Sequence, residues 1–170
     1  MGLLAASICF LPRPLAAAVQ KKPLERRLAL FNTHTGEMLE TCYFHSGCYE
    51  PKALRAINHI LRDHRSGEVH PIDGGLLDLL YTLSTRFEGP RPFHVISGYR
   101  SAETNATLHR RNRRVASQSL HVFGKAIDIR VPGVRTVDLG AIARSLAAGG
   151  VGFYPQSDFV HIDVGRVRAW

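Results

Sequence analysis

Short stretches of the chain alternate between apolar and polar residues or run apolar, as strands with one buried face do. They are RRLALFN, EMLETCYF, FHVIS, KAIDIRV and FVHIDV. The first two flank NTHTGE, whose threonine and glycine suit a turn, so they predict a β-hairpin at the edge of the fold. In the last two, aspartate and histidine alternate with aliphatic residues. The pattern therefore predicts ionisable side chains on the face of a sheet opposite its apolar layer.

Other segments carry the spacing or the capping residues of helices. We predict four of them, over residues 51–67 from a proline to a glycine, 76–83, 101–114 from the capping residue Ser101, and 136–148. Gly149 and Gly150 are expected to close the last one. Strands and helices in this order predict an α+β fold, an antiparallel sheet flanked by helices, in a single domain over residues 27–170.

The first 18 residues, MGLLAASICFLPRPLAAA, are apolar, contain no acidic residue and end in a run of alanines. This is the layout of a secretory signal with a small-residue cleavage site, and its prolines argue against a membrane-spanning helix. We therefore predict a signal at residues 1–18 and export from the cytoplasm. The formal net charge of +8 favours polyanions, which outside the cytoplasm are anionic lipids and the cell-wall polymer.

Several classes of chemistry have no anchor in the sequence. It contains no G-x-S-x-G, P-loop, H-E-x-x-H or zinc-finger cysteine spacing, so serine-hydrolase, nucleotide-binding and helix-borne zincin mechanisms are not favoured. The basic run HRRNRR at 109–114 is typical of a solvated helix face, and we expect no nucleic-acid partner. Cys42 and Cys48, in CYFHSGC, form either a disulfide in an oxidising compartment or a pair of unlinked thiols.

Three residues have the chemistry of a catalytic zinc site. His121 lies in a loop that doubles back through Gly124, Asp128 lies on the following strand, and His161 lies on the last strand. Histidine nitrogen and aspartate oxygen are good zinc donors, and three protein ligands leave a position for a water whose pKa the metal lowers toward about 7. The spacing alone fits a hydrogen-bonded His–Asp pair as well, so both interpretations stay open.

Four motifs in order resemble one enzyme family. SLHVFGKAID at 119–128 matches the signature S-x-H-x-x-G-x-A-x-D of the D-Ala-D-Ala carboxypeptidase and VanX-type zinc peptidases, which share a core with lysostaphin-like enzymes and Hedgehog signalling domains. SGYRS at 97–101, AGGVGFYP at 148–155 and FVHIDVG at 159–165 are similar to the murein endopeptidase K branch. The resemblance covers nearly the whole chain after the predicted signal and implies a Hedgehog/DD-peptidase-like fold.

The resemblance implies roles for individual residues. It makes His121, Asp128 and His161 the ligands of a zinc ion. It makes Arg100, in SGYRS, the residue that holds the substrate or polarises the scissile carbonyl, a role that suits a permanently charged guanidinium. A surface arginine that caps a helix or pairs with an acidic neighbour is the alternative. Ser119, which opens the signature, is a second candidate for substrate binding.

The general base departs from the family pattern. VanX-type enzymes place a glutamate three residues before the last histidine, where this chain has Asp158, and other members place a histidine two residues before it, where this chain has Phe159. Asp158 is one catalytic candidate, with a turn residue as its alternative role. Asp163 is the other, because it shares a strand face with His161 and can take the proton or orient that ligand.

Together these residues predict an exported, periplasmic zinc metallopeptidase. Its expected activity is that of a murein endopeptidase that hydrolyses peptide cross-links of the cell wall, with Zn²⁺ as cofactor and peptidoglycan stem peptides as partner. The resemblance implies cross-links that join diaminopimelate residues. The alternatives are a D-Ala-D-Ala carboxypeptidase and a zinc-bearing wall-binding module without catalysis, which the missing glutamate favours. The sequence leaves the oligomeric state open.

Overall fold

The computed structural model of the chain describes residues 24–113 and 115–170, so the predicted signal at residues 1–18 lies outside it. The strands within the described residues are β1 (Glu25–Asn32), β2 (Met38–His45), β3 (Cys48–Tyr49), β4 (Phe93–Ser97), β5 (Ala126–Arg130), β6 (Gly150–Tyr154), β7 (Phe159–Asp163) and β8 (Arg168–Ala169). The α-helices there are α1 (Pro51–Ile60), α2 (Gly74–Ser84), α3 (Ala102–Arg111) and α4 (Thr136–Ser145). No helix in this part of the chain has the length and apolar character needed to cross a membrane.

All the described strands belong to one sheet, in the order β3-β2-β1-β4-β5-β7-β6-β8. Neighbouring strands are antiparallel except for β1–β4 and β6–β8, which are parallel. The helices α1 and α2 pack at the hairpin end of the sheet, and α4 packs on β6 and β7. The predicted α+β class and the predicted hairpin are confirmed, and the two parallel pairs are an addition to the antiparallel sheet that the sequence predicts.

One apolar core lies between these helices and the sheet. Its members on the central strands are aliphatic residues that alternate along β5 and β7: Ile127, Ile129, Val160 and Ile162. Each of them is almost inaccessible to solvent. Because successive strand residues point to opposite faces, the intervening Asp128 and His161 lie on the face away from this core. The alternation that the sequence predicts is therefore confirmed, and it positions the candidate site.

The first predicted helix is shorter than expected, because α1 ends well before Gly67. The carbonyl of Leu61 accepts a hydrogen bond from the Tyr99 N–H at 2.8 Å. The carboxylate of Asp63 accepts bonds from the N–H and the hydroxyl of Ser101, both at 3.0 Å. These bonds to a distant segment replace local helical bonds, so the chain leaves the helix and anchors the loop before α3.

The glycine-rich stretch after α4 forms a strand that the sequence analysis missed. Gly150, expected to close the helix, begins β6 instead. In the register with β7, Gly150 lies opposite Asp163 and Gly152 lies opposite His161. A Cβ atom on Gly152 would lie 2.7 Å from the Trp170 ring. Glycine is needed here for close approach to neighbouring groups, and this requirement overrides its poor strand propensity.

The structure separates the two cysteines of CYFHSGC. Cys42 and Cys48 are free thiols on β2 and β3. The register pairs Cys48 with His45, so Cys42 lies three residues farther along the neighbouring strand, roughly 10 Å away at the usual rise of a strand. A disulfide requires Cα atoms within about 7 Å. The structure therefore favours the unlinked thiols.

Candidate metal centre

The three predicted ligands meet because β5 and β7 are neighbours in the sheet. Asp128 lies directly opposite His161 in their antiparallel register. His121 comes from a single turn of 3₁₀ helix that ends at Gly124, whose φ of 63° is left-handed. A Cβ atom on Gly124 would collide with the carbonyl of Pro71, so this bend requires glycine for space as well as for its backbone angle.

The donor atoms of these ligands form a small triangle. His121 Nε2 lies 3.2 Å from both Asp128 Oδ1 and His161 Nδ1, and the latter two atoms are 2.8 Å apart. Ligand atoms about 2.0–2.1 Å from a tetrahedral zinc are separated by about 3.3 Å. The three side chains are only 1%, 5% and 12% exposed in that order. Among the described residues, this is the one group of three His, Cys or acidic side chains with metal-binding spacing.

In each histidine ring, the nitrogen that is not part of the donor triangle lies close to an oxygen atom; we call it the outer nitrogen. His121 Nδ1 lies 2.6 Å from the carbonyl oxygen of Gly98, and His161 Nε2 lies 3.1 Å from Asp163 Oδ2. The Gly98 carbonyl can only accept, so His121 Nδ1 donates to it and Nε2 keeps its lone pair. In the His161 tautomer that a metal ligand requires, Nε2 donates to Asp163 and Nδ1 keeps its lone pair. Two nitrogen lone pairs and a carboxylate oxygen then face one another, and a cation between them relieves the repulsion. This donor set fits a metal ion.

Electrostatics hold the ligands in states that suit a cation. Burial lowers the pKa of His121, which favours the neutral ring. Burial opposes ionisation of Asp128, but the two histidines and Arg100 outweigh it and hold the carboxyl pKa well below its usual range. Burial also opposes protonation of His161, but Asp128 and Asp163 outweigh it and raise the pKa of the ring. A metal ion and a proton therefore compete for this nitrogen.

Arg100 lies beside the ligand group. Its Nη2 pairs with the outer oxygen of Asp128, and its Nε donates to the Ser97 hydroxyl at 2.8 Å. Its backbone N–H donates to the carbonyl of His121 at 3.2 Å. Nη1 has no partner within the described residues and is left for a ligand. The side chain is 13% exposed, so it belongs to the site rather than to the solvated surface.

The two candidates for the general base have different surroundings. Asp163 is fully buried and accepts bonds from His161, from Arg168 at 2.6 and 3.0 Å, and from the N–H groups of Gly150 and Gly165. Although burial opposes ionisation of Asp163, these donors hold its pKa well below the usual range. The structure places Asp163 behind the candidate ligand His161, in a position to orient its ring.

Asp158 lies at the start of β7 in a left-handed conformation, with φ of 50°. It pairs with Arg130 at 3.4 Å and accepts a hydrogen bond from the Thr136 hydroxyl. Its side chain is 61% exposed. The structure does not bring it into contact with His161, although the neighbouring Ser157 lines the same cleft as that ligand.

The ligand group opens into a cleft of about 770 Å³, a size that suits a short peptide. Ser119 and Arg100, the predicted substrate-binding residues, both line it. The cleft also includes side chains that the sequence analysis did not single out: Tyr154, Arg168 and Trp170. A tyrosine inside the AGGVGFYP motif and the chain's single tryptophan were the available signals. Neither has a periodicity or spacing that connects it to the histidines.

The α+β fold carries a buried His–Asp–His group with an arginine beside it in a peptide-sized cleft, and this arrangement has the chemistry of a metallopeptidase. The model of the family described as Peptidoglycan L,D-endopeptidase MepK matches residues 20–170. The chain belongs to this family, and its resemblance to the murein endopeptidase K branch is confirmed.

Relatives in several bacteria support the assignment over the full length. The Escherichia coli (strain K12) protein named Peptidoglycan L,D-endopeptidase MepK is 41% identical over 170 residues, which is 100% of this chain and 93% of the relative. The Haemophilus influenzae protein named Probable peptidoglycan L,D-endopeptidase MepK is 40% identical over 172 residues, which is 100% of this chain and 91% of that relative. No solved structure gives a significant match.

Proposed function

We propose that this protein is a zinc-dependent murein endopeptidase that acts in the periplasm on peptide cross-links joining diaminopimelate residues. The observation that carries the proposal is the triangle of donor atoms from His121, Asp128 and His161 in a peptide-sized cleft. Relatives named as peptidoglycan L,D-endopeptidases support the choice of substrate. The net charge of +8 also suits an anionic polymer.

In this proposal His121, Asp128 and His161 hold the zinc ion. When bound, zinc acts as a Lewis acid and lowers the pKa of water at its open position. The Gly98 carbonyl and Asp163 keep the two rings in the orientation that the ion requires. During hydrolysis, the oxygen of water bonds to the carbonyl carbon, the C–N bond breaks, and a water proton passes to the leaving amine.

Arg100 has the position of an electrophilic group. Asp128 and Ser97 hold two of its nitrogens, so the guanidinium is oriented before substrate arrives. Its free Nη1 can donate to the scissile carbonyl oxygen, and this bond strengthens as negative charge develops there. Ser119 lines the adjacent wall and is proposed to contact the stem peptide.

The two carboxylates divide their roles by access to solvent. Asp163 is buried and its two oxygens already accept five hydrogen bonds, so we assign it to orientation of His161 rather than to proton transfer. Asp158 has the spacing of the glutamate in VanX-type enzymes and is open to solvent, so we assign it to the proton that moves between water and the leaving amine. In this role Asp158 must leave its pairing with Arg130.

The decisive experiment is digestion of purified cross-linked peptidoglycan by the zinc-loaded protein, by the protein with a chelator, and by His121→Ala. We expect dimeric muropeptides to disappear only in the first sample, with at least about 10³-fold slower turnover in the others, because a catalytic metal site fails without a ligand. His45→Ala, on an exposed strand position of the hairpin, is the matched control and should cleave normally. Equal digestion in all samples would refute the zinc mechanism.

Two alternatives are outcomes of the same experiment. Free D-alanine released from monomeric stems, with dimers left intact, would make the protein a carboxypeptidase. The aspartate at position 158, where VanX-type enzymes have glutamate, favours a wall-binding module. Stoichiometric zinc and wall binding without any turnover would establish that module.

Export is the remaining part of the proposal. Cell fractionation combined with mass measurement of the mature protein tests it. We expect a periplasmic protein that has lost about 18 residues, as the predicted signal requires. Full-length protein in the cytoplasm would contradict it.

A further inference from the structure

The cleft has an aromatic wall that the proposed mechanism does not use. It consists of Tyr154, Phe159 and Trp170, which line the cleft together with the metal ligands. Tyr154 stacks on Phe159, with ring centroids 4.6 Å apart and an angle of 19° between the planes. Trp170 lies 5.4 Å from the ring of His161, measured between centroids. The wall therefore stands next to a metal ligand.

The position of Trp170 is set by three kinds of contact. Its backbone N–H donates to the Val151 carbonyl at 3.2 Å, and its backbone carbonyl accepts from the Phe153 N–H at 3.0 Å. The guanidinium of Arg168 lies 4.8 Å from the centroid of its ring. The indole plane lies against Gly152, where a side chain would collide with it. The direction of the indole N–H is therefore fixed by the sheet.

That N–H donates to the Tyr154 hydroxyl at 2.8 Å. A phenol oxygen that accepts a bond still has its own proton to donate. No described residue accepts this proton. The half-buried Tyr154 hydroxyl therefore faces a peptide-sized cleft with its oxygen held by Trp170 and its proton without an acceptor. A ligand in the cleft can supply that acceptor.

We propose that Tyr154 is a further catalytic residue, which donates a hydrogen bond to the oxyanion that develops on the scissile carbonyl, and that Trp170 is the positioning residue that orients its hydroxyl. The inference rests on the proposed function. Tyr154 keeps its proton throughout, so no bond to it forms or breaks. A neutral donor binds an oxyanion more strongly than a carbonyl, so its contribution grows in the transition state.

Steady-state kinetics of the zinc-loaded protein on a purified cross-linked muropeptide test the assignment. We expect Tyr154→Phe to lower kcat by about 100-fold, as loss of one oxyanion donor does, and to change KM by less than about twofold. Tyr81→Phe is the matched control, because Tyr81 is also half-buried and its hydroxyl has no partner in the described part of the chain. A Tyr154→Phe variant with the wild-type kcat would overturn the proposal.

A double-mutant cycle tests the role of Trp170. We expect Trp170→Phe, which removes the N–H and keeps an aromatic ring, to lower kcat by about 10-fold. If Trp170 acts through Tyr154, the double variant should be no slower than Tyr154→Phe alone within about twofold, because effects within one unit are not additive. If the fold-decreases in kcat of the two single variants multiply in the double variant, Trp170 does not act by orienting the Tyr154 hydroxyl.

Binding gives a readout that is independent of turnover. The chain contains a single tryptophan, so intrinsic fluorescence reports on the cleft directly. We titrate the zinc-loaded protein with a cross-linked peptide analogue in which CO–CH₂ replaces the scissile CO–NH, so that the carbonyl acceptor is kept and the cleavable C–N bond is absent. Equal dissociation constants, within about twofold, for wild type and Tyr154→Phe support a transition-state role. Binding weakened by about 10-fold with unchanged kcat would make Tyr154 a substrate-binding residue and would refute the catalytic one.

These outcomes separate this inference from the function on which it rests. If the wild-type protein with zinc does not cleave the muropeptide, the proposed function is wrong. If it does cleave and Tyr154→Phe cleaves equally fast, only the role of Tyr154 is wrong.

Discussion

The two halves of the sheet contain similar ion pairs in very different settings. Asp78 pairs with Arg26 at the hairpin end and Asp163 pairs with Arg168 at the metal-centre end, both at 2.6 Å. Asp78 is 34% exposed and also accepts bonds from two tyrosine hydroxyls, so it ties α2 to the hairpin. Asp163 is 0% exposed and adds a bond from His161. The pair of Asp78 and Arg26 is structural, whereas the pair of Asp163 and Arg168 supports a candidate metal ligand.

The difference follows from how the strands are covered. In β1 buried residues alternate with more exposed ones, whereas four consecutive residues of β5 are buried. The second face of β5 is covered by the 3₁₀ turn and by the loop that carries Arg100. Covering this face removes water from the ligand group, which strengthens its charge interactions. A sheet with both faces buried thus provides the site that the open hairpin half does not.

The largest effect is expected when the negative charge of Asp163 or of Asp78 is removed. We expect Asp163→Asn to reduce zinc affinity or kcat/KM by about 10–100-fold, because it weakens the support of His161. We expect Asp78→Asn to leave both unchanged and to lower the free energy of unfolding by about 1–2 kcal/mol, because it weakens the hydrogen bonds of two tyrosine hydroxyls to a charged group.

Zinc affinity by chelator competition and thermal unfolding of both variants provide the measurements. Loss of zinc affinity in Asp78→Asn equal to that in Asp163→Asn would contradict the division of roles.

A smaller effect, on the free energy of unfolding, is expected when Gly152 in the metal-centre half is replaced by alanine. Gly152→Ala would place its Cβ 2.7 Å from the Trp170 ring, so we expect it to lower the free energy of unfolding by about 1–3 kcal/mol. Gly140 on α4 is the control, because its Cβ would find its nearest atom at an ordinary 3.5 Å and alanine favours a helix. Chemical denaturation compares the two. Equal free energies of unfolding for Gly152→Ala and Gly140→Ala would show that the Trp170 ring moves aside without loss of stability.

The smallest expected effect concerns the loop that supports Arg100. Burial opposes ionisation of Asp63, but bonds from Thr104, Arg65 and Ser101 outweigh it and lower its pKa from 3.8 to about 2. A lowered pKa adds stability above the unfolded value, and that stability is lost as the pH falls through the folded value. The shift corresponds to about 2 kcal/mol.

Denaturation of the wild type and Asp63→Asn between pH 6 and pH 2 measures this contribution. We expect the gap between their free energies of unfolding to narrow by about 2 kcal/mol as the pH falls from about 4 to about 2. A gap that stays constant would show that the ionised carboxylate is not what holds this loop.

The sequence predicts those parts of the site that depend on short patterns of neighbouring residues. KAIDIRV and FVHIDV each place ionisable residues opposite aliphatic ones, and this alternation puts Asp128 and His161 on the correct face. Residue chemistry made His121 the remaining ligand candidate, and the resemblance of its motif to zinc peptidases favoured a metal site over a hydrogen-bonded pair. The strand β6 could not be predicted, because glycines at 150 and 152 are selected by their contacts with Asp163 and Trp170 rather than by strand propensity.

By itself, the sequence determined the periods of its strands and helices, the α+β class and the identity of the ligand candidates, because each depends on residues close together in the chain. Only the tertiary structure decided that β5 and β7 are neighbours, that Asp163 lies behind His161, and that the Trp170 indole donates a hydrogen bond to the Tyr154 hydroxyl in the cleft. These depend on contacts between distant segments, whose pairing is set by packing of the whole core and is not encoded in any local period.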